Sequence, residues 1–117
     1  MRRHLVVFAK APMLGRVKSR LAAGIGATAA LAFYRRALAG LLRRVGRDPR
    51  WRTALAVAPD SAARHRRLWP MALPRIGQGR GDLGLRMGRV LRDWPRGPVV
   101  IVGADIPDIS AAHVWSA

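Results

Sequence analysis

Pro98-Val99-Val100-Ile101-Val102-Gly103-Ala104-Asp105-Ile106-Pro107-Asp108 carries an unbroken apolar run into a small-residue step and then into two of the six carboxylates of the chain. Such a run predicts a strand buried on both faces of a parallel sheet. Ligands of open α/β sheets gather at the carboxyl ends of strands of this kind. Asp105 therefore sits where a hard cation or a substrate hydroxyl would be held, and Pro107 prevents the chain from continuing regularly past it. The same residues also fit a plain strand followed by a helix capped by Asp108 or Ser110.

Upstream of this run the pattern alternates strand, loop and helix. Leu5-Val6-Val7-Phe8-Ala9 is a short apolar run that predicts the first, central strand. A loop punctuated by glycine and proline follows from Lys10 to Gly26. A helix is then expected from about Thr28, which would cap it. Its apolar residues Leu31, Tyr34, Leu38, Leu41 and Val45 keep the i, i+3, i+4 rhythm, and Gly46 with Asp48-Pro49 ends it. Thr53 to Ala58 predicts a second strand, closed by Pro59-Asp60, after which Ser61 opens a short helix. Leu73 to Ile76 is a weak third strand. Beyond Gly77 to Gly81, Leu83, Met87, Val90 and Leu91 fit one helical face with Asp82 as N-cap. Right-handed crossovers then give a three-layer α/β/α arrangement with a parallel sheet in the order 3-2-1-4 over one domain, residues 1–117. The tryptophans at 51, 69, 94 and 115 are expected to pack in the interior.

Composition narrows the chemistry. With 117 residues and 50% hydrophobic content the chain can build a real core, yet it is small for a complete α/β enzyme. It has no cysteine, which excludes disulfides, thiolate metal sites and cysteine nucleophiles. No segment approaches the ~20 apolar residues of a membrane span, and the run after the basic amino terminus is too short for a signal-peptide core. The expected location is the cytoplasm. Lysine and arginine total 22 against 6 acidic residues, for a net charge of +16. That balance suits anionic partners. However, the arginines are scattered over several predicted helices as Arg35-Arg36, Arg43-Arg44 and Arg66-Arg67, and no nucleic-acid motif with interleaved aromatics is present, so dedicated nucleic-acid binding is not expected.

The loop after the first strand holds Lys10, Arg16, Lys18 and Arg20, with Gly15 flexible and Pro12 rigid. Backbone amides and cations there would surround a phosphate chain. It matches neither the Walker A pattern nor Gly-x-Gly-x-x-Gly. On residues alone a solvated basic loop fits as well as a phosphate site.

Three ordered stretches carry a resemblance. Phe8-Ala9-Lys10-Ala11-Pro12 continuing through Gly15 to Lys18-Ser19-Arg20-Leu21, then Gly81-Asp82-Leu83-Gly84 with Arg86-Met87, then Gly103-Ala104-Asp105-Ile106-Pro107-Asp108-Ile109, resemble the signatures of the bacterial DUF2064 group over residues 4 to 115. Members are glycosyltransferase-like or nucleotide-diphospho-sugar transferase-like proteins of the GT-A fold, related to the molybdenum-cofactor and phospholactate guanylyltransferases. The resemblance implies the N-terminal half of that fold and a donor that is a nucleotide sugar or a nucleoside triphosphate. It matches Ala9, Lys10, Gly15, Lys18 and Arg20 to the phosphate-holding loop, and Asp82, Leu83 and Gly84 to a segment near the base or ribose. Asp105 matches the aspartate that ligates Mg²⁺ or Mn²⁺, and Lys18 and Asp105 are the implied catalytic pair. A hard divalent cation suits this role because it takes carboxylate and phosphate oxygens and neutralises a leaving diphosphate.

Two departures accompany the resemblance. Ala104 and Ile106 stand where members more often have serine and cysteine. Members also usually continue into an acidic Asp-Gly-Gly-Tyr-like segment that brings a second metal ligand and much of the acceptor pocket, so the acceptor half is expected to be lacking and this chain to be inactive by itself. Two function classes follow: a metal-dependent transferase acting on an unknown acceptor, or a basic non-catalytic module that binds nucleotides or nucleic acid. An apolar sheet edge left open at strand four implies a homodimer, aggregation or low stability.

Overall fold

The protein, represented by a computed structural model, is described over residues 3–12, 26–94 and 97–104. Its elements run β1 (His4–Lys10), α1 (Ala27–Val45), β2 (Arg52–Ala58), two 3-10 turns (Asp60–Arg64 and Arg66–Leu68), β3 (Arg75–Gly77), α2 (Leu83–Asp93) and β4 (Val99–Gly103). The sheet order is β3-β2-β1-β4, parallel throughout, as the crossover rule predicts.

Side-chain alternation sorts the central strands onto two faces. Leu5, Val7 and Ala9 of β1 point with Leu55 and Val57 of β2 toward α1, where Tyr34, Leu38, Leu41, Leu42 and Val45 close the larger core. Val6, Phe8 and Ala56 point the other way, toward Val90 of α2, with Met87, Trp94, Val99 and Ile101 packed beside them. The two helices thus cover opposite faces. Trp51 and Trp69 are interior, and each donates its indole N–H to a carbonyl, Val45 O and Ala62 O respectively, both at 3.0 Å. Trp94 is half-buried, while Trp115 lies outside the described residues.

Several expectations are corrected. The strands buried on both faces are β1 and β2, in which Leu5 to Ala9 and Thr53 to Val57 are all buried. In β4 only Val102 is buried, because β4 pairs on one side alone among the described residues. The cap of α1 is not Thr28: Gly26 enters the helix at φ +91° with no side-chain cap, and Thr28 falls in the exposed first turn. The third strand begins at Arg75 rather than Leu73, since Pro74 has no N–H and only its carbonyl joins the ladder, accepting from Leu55 N at 2.8 Å. Finally, α2 buries Val90 while Leu83 and Leu91 stay 56% and 57% exposed. Leu83 stands in the first turn, at the carboxyl edge of the sheet, and Leu91 is rotated by about 100° from Val90.

Ser61 does not cap a helix either. The Asp60–Arg64 segment forms a 3-10 turn entered from Pro59, with no side-chain cap. The Asp82 cap is present, its Oδ1 accepting from Leu85 N at 2.9 Å. Among the described residues no helix is long and apolar enough to cross a membrane.

Candidate functional site

Strand order reverses between β1 and β4, and in an open α/β sheet that reversal opens a crevice at the carboxyl edge. The two strands are in register from His4 with Val99 to Phe8 with Gly103. Their ends are tied by Ala104 N donating to Phe8 O at 3.0 Å. The basic loop leaves the sheet at Lys10, and the segment bearing Asp105 leaves at Ala104, so the two begin side by side.

The start of the loop is fixed from α1. The Tyr34 hydroxyl accepts from Lys10 N at 2.9 Å and donates to Lys10 O at 2.8 Å, clamping the backbone while leaving the lysine exposed. Ala11 N donates to Ala58 O at 2.8 Å, which carries the chain straight off the sheet to the buried Pro12.

On the opposite face the crevice is walled by residues 77–84. Gln78 is 5% exposed, and its Nε2 donates to Ala56 O at 2.9 Å and more distantly to Ala9 O at 3.4 Å. Its Oε1 accepts from Arg86 Nη1 at 3.1 Å. Arg86 and Arg89, three apart on α2, then bind the loop's carbonyls: Arg86 Nε donates to Gly81 O at 2.7 Å, and Arg89 donates to Gln78 O at 2.9 Å and Arg80 O at 2.8 Å. Gly79 has φ +83° and lies directly under the Arg89 guanidinium, where a Cβ would collide. Asp60 closes the far side by accepting from Gly79 N at 2.9 Å.

Of the expected site residues, Ala9, Lys10, Asp82, Leu83 and Gly84 lie at this carboxyl edge. Ala9 contributes its carbonyl, and Asp82, Leu83 and Gly84 form the exposed first turn of α2 with its cap. Gly15, Lys18, Arg20 and Asp105 lie outside the described residues. The sequence gives no site role to Tyr34, Gln78 and Arg89, because each acts on backbone groups from nine to 69 residues away, and it shows Arg86 in a signature without showing that it bonds Gly81 O and Gln78. A second cavity of about 570 Å³ lies between α2 and strands β2 and β3, lined by His4, Arg52, Pro74 and Trp94. It runs under α2 from the strands' amino ends to Gly77, Gln78 and Arg89, so it backs onto the wall of the crevice. No cluster of three or more metal-ligating side chains occurs among the described residues.

With this geometry in place, comparison with known proteins is decisive at the level of family. The model of the bacterial family described as an uncharacterized conserved protein, DUF2064, matches residues 41–117. The chain belongs to the DUF2064 family. No curated protein matches it. A crystal structure from Desulfovibrio desulfuricans G20, of a protein named as a candidate nucleotide-diphospho-sugar transferase, superposes with a TM-score of 0.87 at 27% identity. The match covers 99% of this chain and 53% of the other, so the DUF2064 chain spans about half the length of that relative.

Proposed function

We propose that this DUF2064 chain forms the donor-binding part of a divalent-metal-dependent transferase that takes a nucleotide sugar or a nucleoside triphosphate. The observation that carries this reading is the parallel β1–β4 pair at the switch point, which starts the Lys10 loop and the Asp105 segment from adjacent strand ends. The likeness to the Desulfovibrio protein supports the same class. In this reading Lys10, Lys18 and Arg20 neutralise the donor phosphates, and Gly15 admits them close to the backbone. Asp105 supplies a carboxylate to Mg²⁺ or Mn²⁺, whose chemistry is to offset the charge that builds on the leaving diphosphate.

Asp82 suits a ribose better than a phosphate. Its Oδ1 is taken by Leu85 N, its other oxygen has no partner among the described residues, and a carboxylate at the helix start repels an anion while accepting from a hydroxyl. The buried Gln78 and the two α2 arginines hold this wall in one conformation before the donor arrives.

Calorimetry with nucleoside di- and triphosphates tests the reading. Binding should strengthen with Mg²⁺ or Mn²⁺, and Asp105→Asn should remove that enhancement. Lys18→Ala should weaken binding by about 1–3 kcal/mol with or without metal, the range for a lost charge-assisted bond. Asp48→Asn, in the turn after α1, should leave binding unchanged. Equal affinity in EDTA and Mg²⁺ would overturn the metal role.

A further inference from the structure

On the face covered by α1 a second concavity of about 520 Å³ lies between that helix and residues 66–70. Four exposed arginines rim it, Arg35, Arg36 and Arg43 from α1 and Arg67 from the second 3-10 turn, and Ala39, Leu68 and Pro70 give it an apolar floor. Arg36, Ala39 and Arg43 follow i, i+3, i+7 spacing, so two cations stand about 10 Å apart along the helix with the floor between them.

Nothing anionic in the described chain answers them. The four described carboxylates are engaged elsewhere: Asp48 pairs with Arg50, Asp93 with Arg92, Asp60 accepts from Gly79 N, and Asp82 caps α2. Among the described residues the groove is therefore cationic with no acidic neighbour. In contrast, the cavity under α2 mixes Arg52 and Arg89 with Asp93.

We propose that this groove binds an acidic segment of a partner protein, one that mixes glutamate or aspartate with aliphatic side chains. Arginine forks take carboxylates in pairs, and the floor accepts the aliphatic groups, which a sugar-phosphate backbone would leave uncovered. Base stacking has no platform here, because Trp69 in the wall is 6% exposed with its indole N–H spent on Ala62 O. A second copy of this chain, with net charge +16, would be repelled from the groove. The groove lies on the α1 face and adjoins the basic loop only at Pro12, whose carbonyl accepts from Arg35 Nη2 at 3.5 Å, and the proposal does not depend on turnover in the crevice.

Fluorescence anisotropy with a labelled peptide of about twelve residues built from Glu-Glu-Val repeats tests it. Arg36→Gln, Arg43→Gln and Arg67→Gln together should weaken binding by about tenfold or more. The same charge removed outside the groove, at Arg47, Arg52 and Arg92, should change it by less than about twofold in moderate salt. Ala39→Gln, and separately Pro70→Gln, would crowd the floor without altering charge and should weaken the peptide while leaving an oligothymidylate unaffected. Near-UV circular dichroism would establish that each variant keeps its packing. Equal losses from the two arginine triples would reduce the effect to net charge and overturn the proposal. So would floor variants without effect, or an oligothymidylate that binds more tightly than the peptide and responds to the groove triple.

Discussion

Replacing Tyr34 with phenylalanine isolates the clamp at the start of the basic loop. The ring fills the same volume among Leu38, Leu41 and the β1 side chains, so the apolar packing is kept and only the hydroxyl is lost. Two hydrogen bonds vanish, at 2.9 and 2.8 Å, and both stranded groups belong to one residue, Lys10. A net bond contributes about 1 kcal/mol, and a stranded buried partner raises the cost toward 3 kcal/mol. Because Lys10 is exposed and water can reach part of its backbone, about 2 kcal/mol in all is expected. In a domain of this size that lowers Tm by on the order of 10 °C. Urea unfolding should show a lower midpoint with an unchanged slope, since the surface exposed on unfolding is the same. A shift under about 0.5 kcal/mol would mean that the hydroxyl does not hold the strand end, and the account of how α1 positions the loop would fail.

Other perturbations probe the opposite wall and the surface charges. Gln78→Met keeps the volume but removes the amide's bonds to Ala56 O and Arg86 Nη1, so a loss of about 1–2 kcal/mol is expected in the same urea assay, together with weaker nucleotide binding. Asp82→Ala removes the cap of α2 and should cost about 1 kcal/mol, while Asp82→Asn should retain most of it, as thermal melts can verify. Arg50 bonds the Asp48 carboxylate and holds its pKa below the ordinary carboxylate value. A lowered folded pKa gives stability that is present above the unfolded value and lost as the pH falls through the folded one. An acid titration of Asp48→Asn should therefore be flatter than that of the parent in this range and coincide with it in shape near neutrality.

Much of this architecture could be read from the residues because it rests on local pattern. The β-branched run of β1, the helical rhythm from Leu31 to Val45, the Asp82 cap and the handedness of crossovers are each set within a few residues or by chirality, and together they yield the strand order. The burial of β4 was not legible: Val99 to Val102 are as apolar as a central strand, and only the sheet's neighbour relations make them an edge among the described residues. The site divides in the same way. The Lys10 loop and Asp105 stand out by composition, although Gly15, Lys18, Arg20 and Asp105 lie outside the described residues. Arg86 stands in the Gly81–Met87 signature without its role being readable there, and Arg89 cannot be told from the other arginines by sequence, since what sets both apart is contact with the carbonyls of Gln78, Arg80 and Gly81.

The pairing of β1 with β4 also sets an order of assembly. Of the described strands the first to be made, β1, is an inner strand of the sheet, and β2 and β3 can extend it on one side as they emerge. The other side must wait: His4 meets Val99 only after nearly all of the described chain has been made. Closing so long a loop is the slow kind of contact. Until it closes, β1 presents an unpaired apolar edge of the kind that invites association with other chains. The crevice at the Lys10 and Ala104 ends forms only when β4 has paired with β1, so a donor bound there, on the proposed reading, would stabilise only chains in which that pairing is made.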